Sequence, residues 1–162
     1  MSRLSVAVLW AVLAASLASC ASVDTAGSEA PAVAVWDVEN LSPSRFSMPG
    51  MGEILSGAII DVLGAQGVEV VERERLVAVL EELRLGSSQL ADDETRLRVG
   101  RITGAREMVF GAYMVVGPTM RLDLRRVDVE TGRVVRTASK TAPSGDVQAW
   151  VEAARKAAVD LF

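Results

Sequence analysis

The chain of 162 residues contains no histidine and a single cysteine, Cys20. Lacking histidine, it lacks the commonest general base, the commonest zinc ligand and every Ser-His or Cys-His nucleophile pairing. Carboxylate chemistry is the enzymatic route that remains. One cysteine cannot close a disulfide within the chain, so packing alone must hold the fold. Gly50 and Gly52 precede a helical pattern, but no GxGxxG and no Walker lysine accompany them, so no phosphate cradle is written here. The 17 basic residues are scattered and outnumbered by 21 acidic ones, for a net charge of −4. Without a cationic cluster, the phosphate neutralisation that drives nucleic-acid binding has no source. No internal repeat is present, and only residues 21–31 are of low complexity.

What the chain does have begins at its N-terminus. Met1-Ser2-Arg3 is a short positive region, and residues 4–18 are an unbroken apolar or small-residue run. That is the anatomy of a secretory signal, and it falls short of the ~20 residues of a membrane helix. The run closes on Leu17-Ala18-Ser19-Cys20, which resembles the lipobox of bacterial lipoproteins. The resemblance implies recognition of Leu17, Ala18, Ser19 and Ala21 by a signal peptidase, cleavage before Cys20, and acylation of Cys20 with chains such as palmitate. A plain secretory signal with a chance cysteine is the alternative. Three acyl chains, as in typical bacterial lipoproteins, exceed the two signals that give stable anchoring. Ala21 in place of aspartate implies sorting to the periplasmic face of an outer membrane, where the organism has one. The expected organisation is a leader over 1–19, a lipidated cysteine and flexible tether over 20–31, and one α/β domain over 32–162. Loss of Arg3 with the leader makes the remainder one unit more acidic.

Residues 32–39 form a compact apolar run ending in acids, as a buried strand would. Residues 40–50, with Pro43, Pro49 and three serines, read as a loop. Met51, Ile54, Leu55, Ala58, Ile59, Val62 and Leu63 then mark one helical face. Residues 68–72 suggest a second strand, and 73–85 a second helix with Leu76, Val79 or Leu80, and Leu83 inward. After a break at 86–93, residues 94–103 suggest a third helix. Residues 108–116 are too apolar for a half-wet strand and should be central in a sheet. Gly117-Pro118 makes a tight turn into a strand where Met120, Leu122 and Leu124 alternate with Arg121, Asp123 and Arg125. The apolar phase then changes to Val127 and Val129, which predicts a β-bulge near Arg125-Arg126. Glu130-Thr131-Gly132 fits a hairpin turn, and 133–141 the returning strand. Ser144 would cap a closing helix that buries Val147, Trp150, Val151, Ala154, Ala158 and Leu161. The order is β-α-β-α-α-β-β-β-α, an α/β (α+β) fold with a mixed five-stranded sheet and helices packed on it.

Four stretches carry a resemblance: Val33-Ala-Val-Trp-Asp-Val-Glu-Asn40; Val70-Val-Glu-Arg-Glu-Arg-Leu76 continuing to Leu80-Glu-Glu-Leu83; Gly104-Ala-Arg-Glu-Met-Val-Phe-Gly111; and Leu122-Asp-Leu-Arg-Arg-Val-Asp-Val-Glu-Thr-Gly132. In this order, behind a lipobox, they resemble the CsgG/HfaB-like family of bacterial envelope lipoproteins. FlgO-like flagellar lipoproteins, LpoB-type activators of peptidoglycan synthases and the N-terminal domain of TolB share the layout. The resemblance implies a non-enzymatic, lipid-anchored periplasmic module that binds other envelope proteins. Its main expectation is an accessory of assembly or secretion of surface structures, curli-like or flagellar. Activation of a peptidoglycan synthase is the alternative, and self-association is a further implication because channel-forming relatives make rings. Those relatives add two membrane-crossing hairpins, on the order of 40 residues at ~9–11 per strand. The four residues 116–119 leave no room for them, which disfavours a channel subunit. No cofactor, metal, nucleic acid or small-molecule substrate is expected.

Among candidate sites, Asp37 and Glu39 lie two residues apart, on one face of a regular strand, where they suit acid/base work or a divalent cation. Solvation of a strand end is the preferred account of them. Glu72-Arg73 reads as an ion pair or helix-end charge at a strand-to-helix junction. Asp92-Asp93-Glu94 suits either a cation or the first turn of a helix. Trp36 and Trp150 read as core aromatics. Arg121 and Arg125 line a wet strand face, and the hairpin could bring Arg133 or Arg136 beside them. That set is either a cross-strand ladder with Asp123 and Asp128 or a docking surface for an acidic partner.

Overall fold

The computed structural model of the chain describes residues 32–43, 48–83 and 92–162. The expected leader, the Cys20 lipobox, the tether and residues 86–91 of the expected break lie outside them. The elements are β1 (Val33–Val35), β2 (Glu39–Asn40), α1 (Met51–Ala65), α2 (Arg73–Glu82), α3 (Asp93–Thr103), β3 (Glu107–Val116), β4 (Thr119–Asp128), β5 (Val134–Pro143) and α4 (Val147–Leu161). They build the mixed five-stranded sheet anticipated from sequence. β3 is central, flanked by β1 and β2 in parallel and by β4 in antiparallel pairing, with β5 on the outside of β4.

Helices cover both faces, and two separate cores result. On the first face, Val33, Val35, Val38, Val109, Tyr113, Leu122 and Leu124 pack with the apolar sides of α1 and α4. On the second, Ala34, Trp36, Met108, Phe110, Val127 and Val129 pack with Leu76, Val79 and Leu80 of α2 and Val99 of α3. Trp36 and Trp150 are both buried core residues, as expected.

This two-sided arrangement corrects the reading of β4. Its register with β3 runs unbroken from Thr119 to Asp128. Met120, Leu122 and Leu124 serve the first core, whereas Val127 and Val129 serve the second. The change of apolar phase therefore marks a change in which face is covered. A register shift does occur at Arg126/Val127, but in the pairing with β5, where Arg126 faces Arg136 and Val127 faces Val134. The extra residue is Val135, on the returning strand.

The first strand is the second correction. It splits because Val35 pairs with Val109 while Glu39 pairs with Ala112, leaving one residue too many on the outer strand. Trp36 and Val38 consequently serve opposite cores. The break is held from below by α1. The Val38 N–H donates to Ser56 Oγ at 3.0 Å, and the Ser56 hydroxyl lies 3.4 Å from the Trp36 carbonyl and 2.8 Å from that of Gly52. Gly52 is required there, since a Cβ would fall 2.1 Å from the Val38 carbonyl oxygen. The expected strand at 68–72 shrinks to a bridge between Val70 and Val33. The turn at Gly67 (φ 77°) and the start of α2 at Arg73 leave it few residues.

Smaller differences concern caps and faces. Ile54, expected inward, is 52% exposed on α1, and Val147 lies exposed at the start of α4. α4 is capped by Asp146, which accepts from the Ala149 N–H at 2.9 Å, and not by Ser144. Gly132 supplies the positive φ of the β4–β5 turn (67°), and Gly117 that of the β3–β4 turn (58°). β3 reaches β4 through Gly117-Pro118 alone, and each described strand belongs to this one sheet. No described helix is long and apolar enough to cross a membrane.

Candidate functional site

The second face of the sheet is covered over only part of its length. Along β3, Met108 is 0% exposed and Phe110 5%, but Met114 reaches 41% and Val116 65%. All four point to the same side, because side chains alternate along a strand. Helices of 10 and 11 residues, about 16 Å each, cannot span a ten-residue strand of about 33 Å. Past α2 and α3 the described residues leave the sheet open as a groove of about 680 Å³. Its floor comprises Phe110, Ala112, Thr137 and Ser139, with Leu41, Arg121, Asp123 and Arg125 around it.

Ion pairs mark the boundary between covered and open sheet. Arg96 of α3 meets the Glu39 carboxylate and lies over the Trp36 ring, 5.8 Å from its centroid. Arg125 donates to Asp93 at 3.1 Å and lies 5.2 Å from the Phe110 centroid. Further out, Arg121 donates from Nε and Nη2 to the Asp123 carboxylate, at 2.8–3.0 Å. The Ser139 hydroxyl donates to the same carboxylate. The hydrogen bonds from Arg121, helped by Ser139, hold Asp123 below the usual carboxylate range, and Asp123 in turn raises Arg121. Every charged group of this groove thus has a partner within the fold.

The arginine set does not assemble as expected. Arg121 and Arg125 share the open face, opposite Thr141 and Thr137 of β5. Arg136 stands opposite Arg126 on the other face, where its guanidinium reaches the Phe162 carbonyl at 3.4 Å. Arg133 sits at the far turn, where the Asp128 N–H donates to its carbonyl. Asp128 accepts from the Thr131 N–H and hydroxyl, which lower it, so it joins no ladder with Arg121. Asp123 does pair with Arg121, but along the same strand.

The acidic candidates are also placed. The bulge separates Asp37 from Glu39: Asp37 accepts from Arg73 at 3.0 Å, while Glu39 turns to Arg96. Arg73 also pairs with Glu53 at 3.3 Å, so its partners are Asp37 and Glu53. Asp92 caps α3, accepting from Thr95 N–H at 2.8 Å, with Asp93 and Glu94 in the first turn. The helix-start reading accounts for all three, and the hydrogen bonds from Thr95 lower Asp92. Among the described residues, no three His, Cys, Asp or Glu side chains come together to hold a metal. On the covered face, Tyr113 packs against Trp150 with centroids 5.6 Å apart, and burial pushes its hydroxyl up.

Sequence reasoning missed Leu41, Met114 and Val116 as exposed apolar residues, and Ser139 as an Asp123 donor. The available signal was length: short second and third helices against long strands.

The family model described as "Curli production assembly/transport component CsgG" matches residues 14–115, more than half of the chain. No curated protein matches the sequence. Among solved structures, the LpoB C-terminal domain from Salmonella enterica is similar with a TM-score of 0.60 and 17% identity, covering 71% of this chain and 84% of that one. Lipoprotein GNA1162 from Neisseria meningitidis gives 0.53 and 17%, over 69% and 79%. A PelC dodecamer from Paraburkholderia phytofirmans gives 0.50 and 18%, over 82% and 89%. At these identities the likeness is one of fold.

Proposed function

Because the chain belongs to the family of the curli production assembly/transport component CsgG, we propose that it is a non-enzymatic, protein-binding module of the bacterial envelope whose partner is a peptidoglycan synthase. Residues 1–19 act as its leader, Cys20 carries the lipid, 20–31 tether it, and the domain over 32–162 binds on the periplasmic side of the outer membrane. The observation that carries the synthase reading is architectural. The domain corresponds to most of the LpoB C-terminal domain, and β3 turns directly into β4 through Gly117-Pro118. This favours the activator alternative over the accessory of curli-like or flagellar assembly that the sequence resemblance put first. A channel subunit would need hairpins where these two residues stand. Absence of histidine from the chain also speaks for binding over catalysis.

Crosslinking and affinity capture from native envelopes, with wild type and Cys20→Ala side by side, tests this reading. The expected result is a peptidoglycan synthase recovered with wild type and depleted with Cys20→Ala. Recovery of flagellar, fimbrial or secretion components in its place would restore the assembly reading. Self-association has support in the PelC relative, which is a dodecamer. A closed ring of this chain that conducts ions would overturn the module reading altogether.

A further inference from the structure

We propose that the open half of the second sheet face receives one amphipathic helix of about three turns from the envelope partner, docked on Met114 and Val116. The inference rests on the protein-binding reading above and names the surface and the chemistry it takes.

Size selects the occupant. The open strip comprises residues 112–116 of β3, 119–123 of β4 and 139–143 of β5, which are in register with one another. Five residues span about 17 Å, and three strands at about 4.8 Å spacing span some 10–15 Å. That footprint, on the order of 200 Å², is far below the ~800 Å² per partner of a standard interface, which a second copy would need. It matches one helix about 10 Å across and 12 residues long. Helices already dock on the covered half of this face, where α2 and α3 lay Leu76, Val79, Leu80 and Val99. On the open half the apolar ground is β3, while β4 and β5 turn Arg121, Asp123, Ser139 and Thr141 outward.

Charge selects the kind of helix. Arg121 is held by Asp123, Arg125 by Asp93, and Arg96 by Glu39. With each guanidinium already answered, an acidic segment gains nothing that the fold does not supply. Exposed Met114 and Val116 remain, at 41% and 65%, next to exposed Leu41, whose N–H donates to the Tyr113 carbonyl. An unbranched methionine suits such a contact because it adapts to the surface laid against it. The partner therefore presents an apolar stripe at i, i+3, i+4 and i+7 to β3, with polar residues toward the Arg121–Asp123 pair on the neighbouring β4.

The test uses the full lipidated chain in native envelopes, with a benzophenone amino acid in place of Met114. The proposal predicts a crosslink to a peptide of another envelope protein that carries this apolar spacing. Met114→Glu combined with Val116→Glu should reduce capture at least tenfold by a lysine-directed crosslinker, with an unchanged unfolding midpoint. Val159→Glu, at an exposed valine of α4, should not reduce it. Raising salt from 0.1 to 1 M should change capture less than twofold. A benzophenone crosslink to a second copy, to this chain itself or to nothing would overturn the proposal, as would a tenfold salt effect. Partner capture that persists in the double variant would sink this surface while leaving the protein-binding reading intact; loss of capture in wild type would sink that reading first.

Discussion

Along β3, the side chains facing α1 and α4 stay buried from Val109 to Val115, whereas those facing the other way go from fully buried Met108 to exposed Val116. The strand is the same, and so is the apolar composition of its two sides. What differs is the length of helix laid against them. α1 and α4 have 15 residues each, while α2 and α3 have 10 and 11. A sheet face becomes available when its covering layer is too short, whatever residues it carries. The first face is then a place where substitutions cost stability, and the far half of the second a place where they should leave stability nearly unchanged.

Trp150→Ala should break this contrast most strongly. Trp150 is buried between sheet and α4, and its indole N–H donates to the Pro143 carbonyl at 2.7 Å. Loss of an aromatic core residue is expected to cost about 3–5 kcal/mol in urea unfolding. Ser56→Ala should follow, at about 1–3 kcal/mol, because the buried Val38 N–H loses its acceptor. Gly52→Ala probes the same point from the helix side. Overpacking against the Val38 carbonyl should cost about 1–3 kcal/mol and move the first strand away from α1.

The pH dependence sharpens the comparison further. Asp92, Asp123 and Asp128 all lie below their ordinary carboxylate value in the fold. A depressed folded value means that stability is present above the unfolded value of about 4 and is lost as pH falls through the folded one. Urea midpoints should therefore hold steady from pH 7 to 5 and decline below about 4, less steeply in Asp123→Asn. Constant midpoints between pH 4 and 2 would contradict these placements. The smallest effect is expected on the open half, where Met114→Ala and Val116→Thr should each shift unfolding by no more than about 0.5 kcal/mol. A loss above 2 kcal/mol at either position would mean that this face is packed in the native molecule.

Element order was legible because it depends on local periodicity and turn chemistry. The 51–65 and 73–82 helices, the central position of 107–116 and the Gly132 turn follow from residues close in sequence. The candidate site was legible only in part. Arg121 and Arg125 could be assigned to one face by alternation, but their partners could not. Asp93 lies 32 positions from Arg125, and packing of α3 on the sheet brings them together. Arg136 was lost from the set because the extra residue at Val135 reverses the phase of β5, and Arg133 because it sits at the far turn.

By itself, the sequence determined the chemistry excluded from this protein and the apolar faces its segments must bury. Absent histidine, a lone cysteine and 3.6- or 2-residue periods are properties of the chain in any conformation. Only the tertiary structure decided which face of β4 each apolar pair serves, which acid answers each arginine, and where the covering layer stops. Those outcomes depend on relative lengths and offsets of segments far apart in sequence, and one extra residue in an outer strand is enough to redirect them.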